Sequence, residues 1–303
     1  MSTECVHHSH ADAHDARLAG RLTRIGHKLV VLSGKGGVGK STVAVNLAVG
    51  LAEQGLQVGL LDIDLHGPSV PRMLHLDGER LRSHDGAVLP IPFTPNLKVM
   101  SIGFFLESDR QAIIWRGPRK HSMIRQLLCD VDWEDLDYLV VDAPPGTGDE
   151  PLAVIELLGD VDGAVIVTTP QQLSVTDVRK SISFCRELSC PVLGIIENMS
   201  AAVCPHCGGK LEIFGHGGGE ALAKEAGVPL LGSIPLDPQV VGSGDTGRPF
   251  VVSHRSSPTA HAFRAVILPL LELEREQASG TETAAGRNRK EASLYAKSSH
   301  EEL

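Results

Sequence analysis

Gly-Lys-Gly-Gly-Val-Gly-Lys-Ser stands at residues 34–41 and fits the phosphate-binding pattern G-x-x-x-x-G-K-[ST]. The apolar run Lys28–Ser33 precedes it, and the amphipathic segment Ser41–Gln54 follows it. We predict a strand for the first segment and a helix for the second, because strand, glycine-rich loop and helix in this order are typical of nucleotide-binding proteins. A glycine-rich turn that binds nothing is the alternative, and the flanking segments make it the weaker interpretation.

The residues of this loop suit the chemistry of a triphosphate. Glycines allow backbone N–H groups to approach a diphosphate that any Cβ would obstruct, and the start of the helix adds its positive dipole end. Lys40 is expected to face solvent and to place its charge near the β and γ phosphates, and the Ser41 hydroxyl is placed to ligate Mg²⁺. We therefore predict that ATP is bound by Gly34, Lys35, Gly36, Gly37, Val38, Gly39, Lys40, Ser41 and Thr42.

Beyond the loop, short apolar runs alternate with helical patterns. The runs are nearly continuous in apolar residues, which is typical of strands buried on both faces of a parallel sheet. Further strands are predicted at Gln57–Asp62, Lys98–Ile102, Tyr138–Asp142, Ala164–Thr168, Val192–Ile196 and Leu230–Ile234. Further helices are predicted at about 119–129, Glu150–Leu158, Ser174–Leu188 and Pro258–Glu276. This alternation predicts a doubly wound α/β fold, with a mainly parallel sheet and helices on both faces.

One domain over residues 26–276 accounts for these elements, and the His-rich residues 1–25 and the polar residues 277–303 are predicted to be flexible tails. Within the domain, Asp85-Gly86 predicts a hairpin inserted at the edge of the sheet. The 303 residues are 42% hydrophobic, which excludes a wholly disordered chain, and the net charge of −9 has the wrong sign for coating nucleic acid. No apolar run reaches the roughly 20 residues of a membrane helix. We expect a cytoplasmic protein that binds neither nucleic acid nor membrane.

A lysine directly after the first glycine of the loop is unusual, and with it the loop resembles that of the deviant phosphate-loop ATPases, which include MinD, ParA and the nitrogenase iron protein. The resemblance implies that Lys35 reaches across a nucleotide-sandwich dimer to the partner's phosphates. There it would neutralise the charge that develops on the γ-phosphoryl group, so that hydrolysis would need a dimer. A solvated loop lysine without this role is the alternative.

Acidic residues end two of the predicted strands. Asp62 and Asp64 follow Leu60-Leu61, and Asp142 follows Val140-Val141. Open α/β sheets bind their ligands at the carboxyl ends of strands. The resemblance implies that Asp142 holds Mg²⁺, directly or through water, that Asp64 orients the attacking water, and that Asp62 lies near the metal. For each acid taken alone, a side chain that only shields a strand end is the alternative.

Cys204 and Cys207, in the motif C-P-H-C, are the one closely spaced pair among the six cysteines. Two thiolates can bind one metal centre, but neither zinc nor an iron–sulfur cube is complete with two ligands. Two copies of the pair across a twofold axis would supply four. We favour an iron–sulfur cluster; a zinc site and a redox-active or structural pair are the alternatives. We predict that the other cysteines of the domain are packed as small hydrophobes: Cys129, Cys185 and Cys190.

Over residues 25–275 the chain resembles the Mrp/ApbC-type iron–sulfur cluster carrier ATPases. The motifs that carry this resemblance are LDIDLHGPSVPRML, VVDAPPGTGDEPL, ENMS, the C-P-x-C pair, IFGHGGGEALAKEAGVPLLGSIPLDP and GDTGRPFV. The resemblance implies a homodimeric ATPase that holds a labile cluster, with [4Fe–4S] favoured over [2Fe–2S], between its subunits and transfers it to apoproteins. Cluster-assembly scaffold proteins are the other implied partners. It further implies that Asn198, Pro235 and Asp237 bind the adenine.

The main alternative is a positioning or partitioning ATPase of the MinD/ParA type, which binds membrane or DNA. Such proteins depend on an amphipathic targeting helix or a basic surface, whereas the tail after Gln277 has no apolar face and the net charge is negative. A zinc-stapled dimer with a vestigial ATPase is a third hypothesis, which leaves the intact hydrolytic motifs unexplained. Some cluster-carrier relatives have an amino-terminal four-cysteine motif. Here only Cys5 stands there, so we expect no permanent second cluster.

Overall fold

The computed structural model describes residues 15–65, 67–105, 117–203, 206–207 and 209–273. The chain divides into two units, Met1–Val266 and Ile267–Leu303. The described part of the second unit contains a 3₁₀ turn at Leu268–Leu271. All of the predicted site residues belong to the first unit, so the architecture below is that of the first unit.

The first unit contains an eight-stranded sheet and two small two-stranded sheets among the described residues. The strands are β1 (Ile25–Leu32), β2 (Val58–Asp62), β3 (Arg82–His84), β4 (Ala87–Leu89), β5 (Ile91–Thr94), β6 (Leu97–Ser101), β7 (Leu136–Asp142), β8 (Gly163–Thr168), β9 (Val192–Ser200), β10 (Ala202–Val203), β11 (Lys210–Leu211) and β12 (Leu230–Pro235). The large sheet has the order β12-β9-β8-β1-β7-β2-β6-β5, and its pairs are parallel except β5 with β6. All seven strands predicted from the sequence are present in it.

Helices connect the strands and pack against the sheet. They are α1 (residues 15–22), α2 (Lys40–Ala52), α3 (Val70–Met73), α4 (Gly117–Cys129), α5 (Asp149–Leu158), α6 (Gln172–Glu187), α7 (Gly218–Ala226), α8 (Pro238–Asp245), α9 (Phe250–Ser253) and α10 (Pro258–Ile267). Every residue of β2 and of β8 is buried, as expected for strands covered on both faces. The predicted fold class, a doubly wound and mainly parallel α/β sheet, is confirmed.

The predicted hairpin is also present, as a separate sheet of β3 and β4. Its turn has Asp85 at φ 49° and Gly86 at φ 77°, the left-handed backbone of a tight hairpin turn. The last predicted helix is shorter than expected: α10 ends at Ile267 instead of continuing to Glu276. Pro269 follows within the 3₁₀ turn, and a proline lacks the N–H that the next α-helical turn requires.

The segment 1–25, assigned to a tail by its composition, is structured in its described part. Residues 15–22 are helical, Leu18 is buried in the core, and Arg21 forms an ion pair with Asp132. This packing depends on a partner more than 100 residues away, so local composition does not reveal it. Residues 1–14, with Cys5 and its neighbouring histidines, and the predicted tail 277–303 lie outside the described residues.

Candidate functional site

The predicted phosphate loop connects β1, in the middle of the sheet, to α2. Gly37 and Gly39 have positive φ angles of 80° and 83°, which glycine adopts without strain. A Cβ on Gly39 would lie 2.2 Å from Asn198 Nδ2, and a Cβ on Gly34 would lie 2.5 Å from the backbone carbon of Asp177. The loop is therefore closely packed at both ends, while Gly36 and Gly37 are exposed between them.

Lys40 is buried, with 6% of its surface exposed, so the expectation of a solvent-facing side chain was wrong. Its Nζ donates a hydrogen bond to Asp142 Oδ1 over 2.6 Å and lies 4.0 Å from Asp64 Oδ2. The cause is the order of the strands. In the sheet Val31 of β1 pairs with Asp142 of β7, so the loop that follows β1 begins beside a buried carboxylate. The ammonium group neutralises charge that would otherwise be costly to bury.

Asp62 and Asp142 are register partners at the ends of β2 and β7, and both are fully buried. Burial, with the neighbouring Asp142 charge as a second cause, raises the pKa of Asp62 to about 7. Burial also raises the pKa of Asp142, although the nearby Lys40 opposes this shift. Two carboxylates held side by side at low dielectric form a site that favours the arrival of a cation.

The two buried carboxylates differ in their hydrogen bonds. Asp62 accepts bonds from the backbone N–H groups of Asp64 and Val70 and from the Ser101 hydroxyl, at 3.0, 3.3 and 2.9 Å. Its oxygens are thus occupied in holding the chain that follows β2, which positions Asp64. Asp142 Oδ2, in contrast, has no hydrogen-bond partner among the described residues. A buried carboxylate oxygen of this kind fits a Mg²⁺ ligand, as does the Ser41 hydroxyl, which lies beside Asp142 and 3.4 Å from Lys40 Nζ.

A cavity of about 350 Å³ adjoins the loop, and the residues predicted to bind adenine are part of its lining. Thr42, Asn198, Pro235 and Asp237 all line it. Asn198 is buried and donates from Nδ2 to the Val38 carbonyl over 2.9 Å, so it also holds the phosphate loop. Our sequence reasoning missed other residues of this wall, on α3 and α8: Arg72, Met73, Val240, Val241 and Gly244. No local motif marks them, because the two helices meet only in the folded chain.

The Asp237 carboxylate has structural partners in this wall. Its Oδ1 accepts a hydrogen bond from the N–H of Gln239 and caps α8, and its Oδ2 accepts one from the Thr259 hydroxyl, both over 2.9 Å. Asp237 therefore shapes the cavity by fixing α8 and α10 in place. Both carboxylate oxygens of Asp237 are thus engaged within the protein. The parts of this segment that are left for contact with a base are the backbone of Asp237 and the nearby Pro235.

Lys35 is hydrogen-bonded to Gln171, a residue that the sequence analysis did not identify. Its Nζ donates to Gln171 Oε1 over 3.0 Å, and its carbonyl accepts a bond from the Ser33 hydroxyl, also over 3.0 Å. Lys35 is partly exposed. Lys35 thus has a neutral partner, Gln171, just beyond the carboxyl end of β8, whereas Lys40 is held by carboxylates.

The cysteines separate into two environments. Cys129, Cys185 and Cys190 are buried in the core, which confirms the prediction that they pack as small hydrophobes. Cys207 is exposed, in the segment between the two short strands β10 and β11. Cys204 lies outside the described residues. Cys207 is therefore the accessible thiol among the described cysteines.

No helix in the described ranges is both long enough and apolar enough to span a membrane. The family model of the NUBPL iron-transfer P-loop NTPases, of ParA type, matches residues 24–271. An iron-sulfur cluster carrier protein of Methanocaldococcus jannaschii is 50% identical over 258 residues, which are 85% of this chain and 88% of that protein. The cytosolic Fe-S cluster assembly factor NUBP2 of Rattus norvegicus is 47% identical over 251 residues, with 82% and 93% covered.

Solved structures show the same fold. A nucleotide-binding protein from Archaeoglobus fulgidus, determined in complex with ADP and with cobalt found in it, has a TM-score of 0.71 at 40% identity, and the match covers 82% of this chain and 96% of that one. The cell division ATPase MinD of Pyrococcus furiosus has a TM-score of 0.58 at 22% identity, covering 82% and 99%. The second likeness concerns the fold alone.

Proposed function

Because this chain belongs to the family of NUBPL iron-transfer P-loop NTPases, we propose that it is a homodimeric ATPase that carries an iron–sulfur cluster to apoproteins. Relatives that are 47–50% identical are named as cluster carriers or as cytosolic cluster-assembly factors, which supports the cargo and a cytosolic place of action. The fold supplies a nucleotide site within each chain. The cluster is the cargo of the reaction, and the nucleotide is its energy source.

The observation that carries this proposal is the different placement of the cysteines. Three described cysteines are buried, where a thiol is inert, whereas Cys207 is exposed beside the short β10–β11 pair. A labile cluster that is handed to another protein needs thiolates that the acceptor can reach. Cys207 meets that requirement, and Cys204 stands three residues before it in the sequence.

A second copy of the chain completes the cluster site in this proposal. An iron–sulfur cube takes four thiolates, and each chain offers one closely spaced pair. Among the described residues, no group of three or more His, Cys, Asp and Glu side chains is arranged to hold a metal ion. A twofold axis near Cys207 would bring four thiolates together, and a [4Fe–4S] cluster would then lie between the subunits.

In the nucleotide site, the residues beneath the loop take the roles that their positions allow. Lys40 lies between Asp142 and Asp64, and it places its charge where the β and γ phosphates of ATP enter the loop. Asp64 Oδ2 is 4.0 Å from that ammonium, and the backbone N–H of Asp64 donates a hydrogen bond to the Asp62 carboxylate, which holds Asp64 in place. In this proposal the Asp64 carboxylate accepts a hydrogen bond from the attacking water. Ser41 and Asp142 would hold Mg²⁺, which neutralises charge on the phosphates when bound.

Metal analysis tests the cargo. We expect the parent dimer, reconstituted without oxygen, to hold iron and acid-labile sulfide, and we expect Cys207→Ser and Cys204→Ser to lose them while still binding ATP. The matched control is His206→Ala, because His206 is the exposed neighbour of Cys207. Stoichiometric zinc without sulfide in the parent would overturn the cluster. Iron retained by a Cys204→Ser/Cys207→Ser variant would move the site elsewhere.

Hydrolysis is tested by separating binding from turnover. Asp64→Asn keeps the shape of the side chain but removes the charge that orients water, so it should bind Mg²⁺–ATP and turn over poorly. A drop in kcat of about 100-fold is the expected scale for losing one group that acts on the transition state. Equilibrium nucleotide binding and single-turnover phosphate release distinguish the two effects. Normal turnover in Asp64→Asn would mean that another residue orients the attacking water.

The dimer requirement has its own experiment. We expect Lys35→Ala to bind ATP but to hydrolyse it slowly, since Lys35 acts on the partner's phosphates in this proposal. Mixing Lys35→Ala chains with Lys40→Ala/Asp142→Asn chains should restore activity, because one site of each mixed dimer then has both lysines. The separate variants are the controls. A mixture that stays inactive would contradict action across the dimer.

The alternative of a positioning ATPase receives less support. The MinD likeness is 22% in sequence and shows the fold, while the cluster-related relatives match at more than twice that identity. A pair of cysteines has no role in positioning on membrane or DNA. A lipid-vesicle and DNA co-sedimentation assay with Mg²⁺–ATP is the direct comparison, and we expect no ATP-dependent binding to either surface.

A further inference from the structure

Lys35 and Lys40 are five residues apart in one loop, yet the partner of Lys35 is neutral and the partner of Lys40 is charged. The Lys40 ammonium is buried and bonded to the Asp142 carboxylate. The partly exposed Lys35 ammonium is bonded to the neutral amide oxygen of Gln171 over 3.0 Å. A bond between a charge and a neutral amide is weaker than an ion pair at the same distance, and a phosphate group competes with it readily.

The two ends of the Lys35–Gln171 bond are attached to backbone that is fixed on both sides. Gly34, next to Lys35, is packed so tightly on Asp177 of α6 that a Cβ would lie 2.5 Å from its backbone. Pro170, next to Gln171, is covered in the same way by Gly218, where a Cβ would lie 2.4 Å from the Pro170 carbonyl oxygen. The bond can therefore be made or broken by side-chain rotation, without movement of either chain segment.

The position of Gln171 follows from the sheet. Strand β8 is the neighbour of β1, and Leu32 pairs with Ile166, so the segments after the two strands emerge side by side. Gln171 has an extended backbone (φ −61°, ψ 133°) directly before α6, which leaves its side chain beside the loop. One neighbour of β1 thus supplies the partner of Lys40, and the other neighbour supplies the partner of Lys35.

We propose that Gln171 is a positioning residue that holds Lys35 on its own chain in the resting protein and releases it when two nucleotide-bound chains meet. The inference rests on the proposed action of Lys35 across the dimer. In the resting chain the bond to Gln171 keeps the ammonium group away from the phosphates of its own site. A partner's triphosphate, with several negative charges, then takes Lys35 from the amide.

The proposal makes opposite predictions for two substitutions. Gln171→Met keeps the length of the side chain and removes the acceptor, so Lys35 is free in advance. The protein concentration needed for dimerisation should fall about tenfold or more, the scale of one hydrogen bond to a charged group. Gln171→Glu replaces the amide by a carboxylate, which holds Lys35 more strongly. It should raise that concentration and lower kcat about tenfold. Gln171→Asn keeps the amide but is one methylene too short, and it should behave like Gln171→Met.

The test is sedimentation of metal-free protein with Mg²⁺ and a non-hydrolysable ATP analogue, together with steady-state ATPase measurements that separate kcat from KM. Each Gln171 variant is also made in the Lys35→Ala background, because a new negative charge near the loop could act on the nucleotide directly. We expect Gln171→Glu to lower kcat strongly in the parent and by less than about twofold in Lys35→Ala, since the coupling between the two residues is then absent.

The outcomes separate this inference from the proposed function. Equal effects of Gln171→Glu with and without Lys35, or a lower kcat for Gln171→Met, would overturn the role of Gln171 and leave the ATPase proposal in place. Normal hydrolysis by Lys35→Ala would instead overturn the action of Lys35 across the dimer, on which this inference rests.

Discussion

Lys40 and Cys207 both serve the proposed function, and their surroundings are opposite. Lys40 is 6% exposed and is held between carboxylates at the ends of core strands. Cys207 is exposed, in the segment between two strands of two residues each. The residues around the phosphate loop are thus held by the core of the chain, whereas Cys207 lies at its surface. Variants of the two regions should therefore differ in their effect on folding as well as on function.

The largest expected effect is that of Lys40→Ala on stability. Removing the ammonium leaves the Asp142 carboxylate buried without its counter-charge, which costs about 3–5 kcal/mol of unfolding free energy. The measurement is urea unfolding of the nucleotide-free protein at pH 8. Adding Asp142→Asn should recover at least half of the loss, because no unpaired charge is then buried. A loss below about 1 kcal/mol would show that the buried Asp142 carboxylate does not depend on Lys40 for its counter-charge.

The second effect is a dependence of stability on pH. The pKa of Asp62 is raised to about 7, above its ordinary value near 4, so the folded state keeps a proton that the unfolded state releases between these values. The unfolding free energy should therefore fall as pH rises from about 4 to 7, by about 2 kcal/mol between pH 5 and 7, and level off above about pH 8. Urea unfolding of nucleotide-free protein at each pH measures this.

Asp62→Asn is the control for this pH dependence. It should reduce the slope by at least half, and the remainder belongs to Asp142, whose pKa burial also raises. A parent protein with no slope, or a variant with the parental slope, would contradict the assignment. The Cys207→Ser variant should keep the full slope, because Cys207 has no part in the buried charges.

A smaller effect on stability is expected at Gly218, the first residue of α7, which follows the segment that contains Cys207. A Cβ on Gly218 would lie 2.4 Å from the Pro170 carbonyl oxygen, and that backbone has little room to move. Gly218→Ala should lower the unfolding free energy by about 1–3 kcal/mol. Gly242→Ala is the matched control, because nothing lies within 4 Å of its Cβ and alanine favours the helix. Equal unfolding free energies for the two variants would contradict the claim that Gly218 is closely packed on Pro170.

The smallest effect is that of Cys207→Ser in metal-free protein. An exposed side chain in a turn contributes little, so the unfolding free energy should change by less than about 0.5 kcal/mol. Cys185→Ser is the contrasting control, since it places a hydroxyl in the core and should cost about 1–3 kcal/mol. A large loss for Cys207→Ser would mean that this residue stabilises the chain and does not only present a thiol.

Much of the architecture could be predicted from local sequence. The seven core strands and the phosphate loop are marked by continuous apolar runs and by glycines in fixed spacing. The carboxyl-end positions of Asp62, Asp64 and Asp142 follow once those strands are assigned. The cavity also contains Asn198, Pro235 and Asp237, which came from a resemblance of motifs and not from any spacing rule.

Other features depend on contacts between distant segments. The helix over residues 15–22 is stabilised by the ion pair of Arg21 with Asp132, 111 residues away. The wall of the cavity formed by Arg72 and Val241 needs α3 and α8 side by side. In neither case does the local sequence pattern show which distant segment makes the contact.

The sequence by itself determined the fold class, the phosphate loop and which cysteines could be accessible, because each rests on periodicity or on residue chemistry within a few positions. Only the tertiary structure decided that Lys40 is buried and that Gln171 binds Lys35, because both depend on the order of strands in the sheet. Strand β1 lies between β7 and β8, which bring Asp142 and Gln171 from 102 and 136 residues away to the two lysines of one loop.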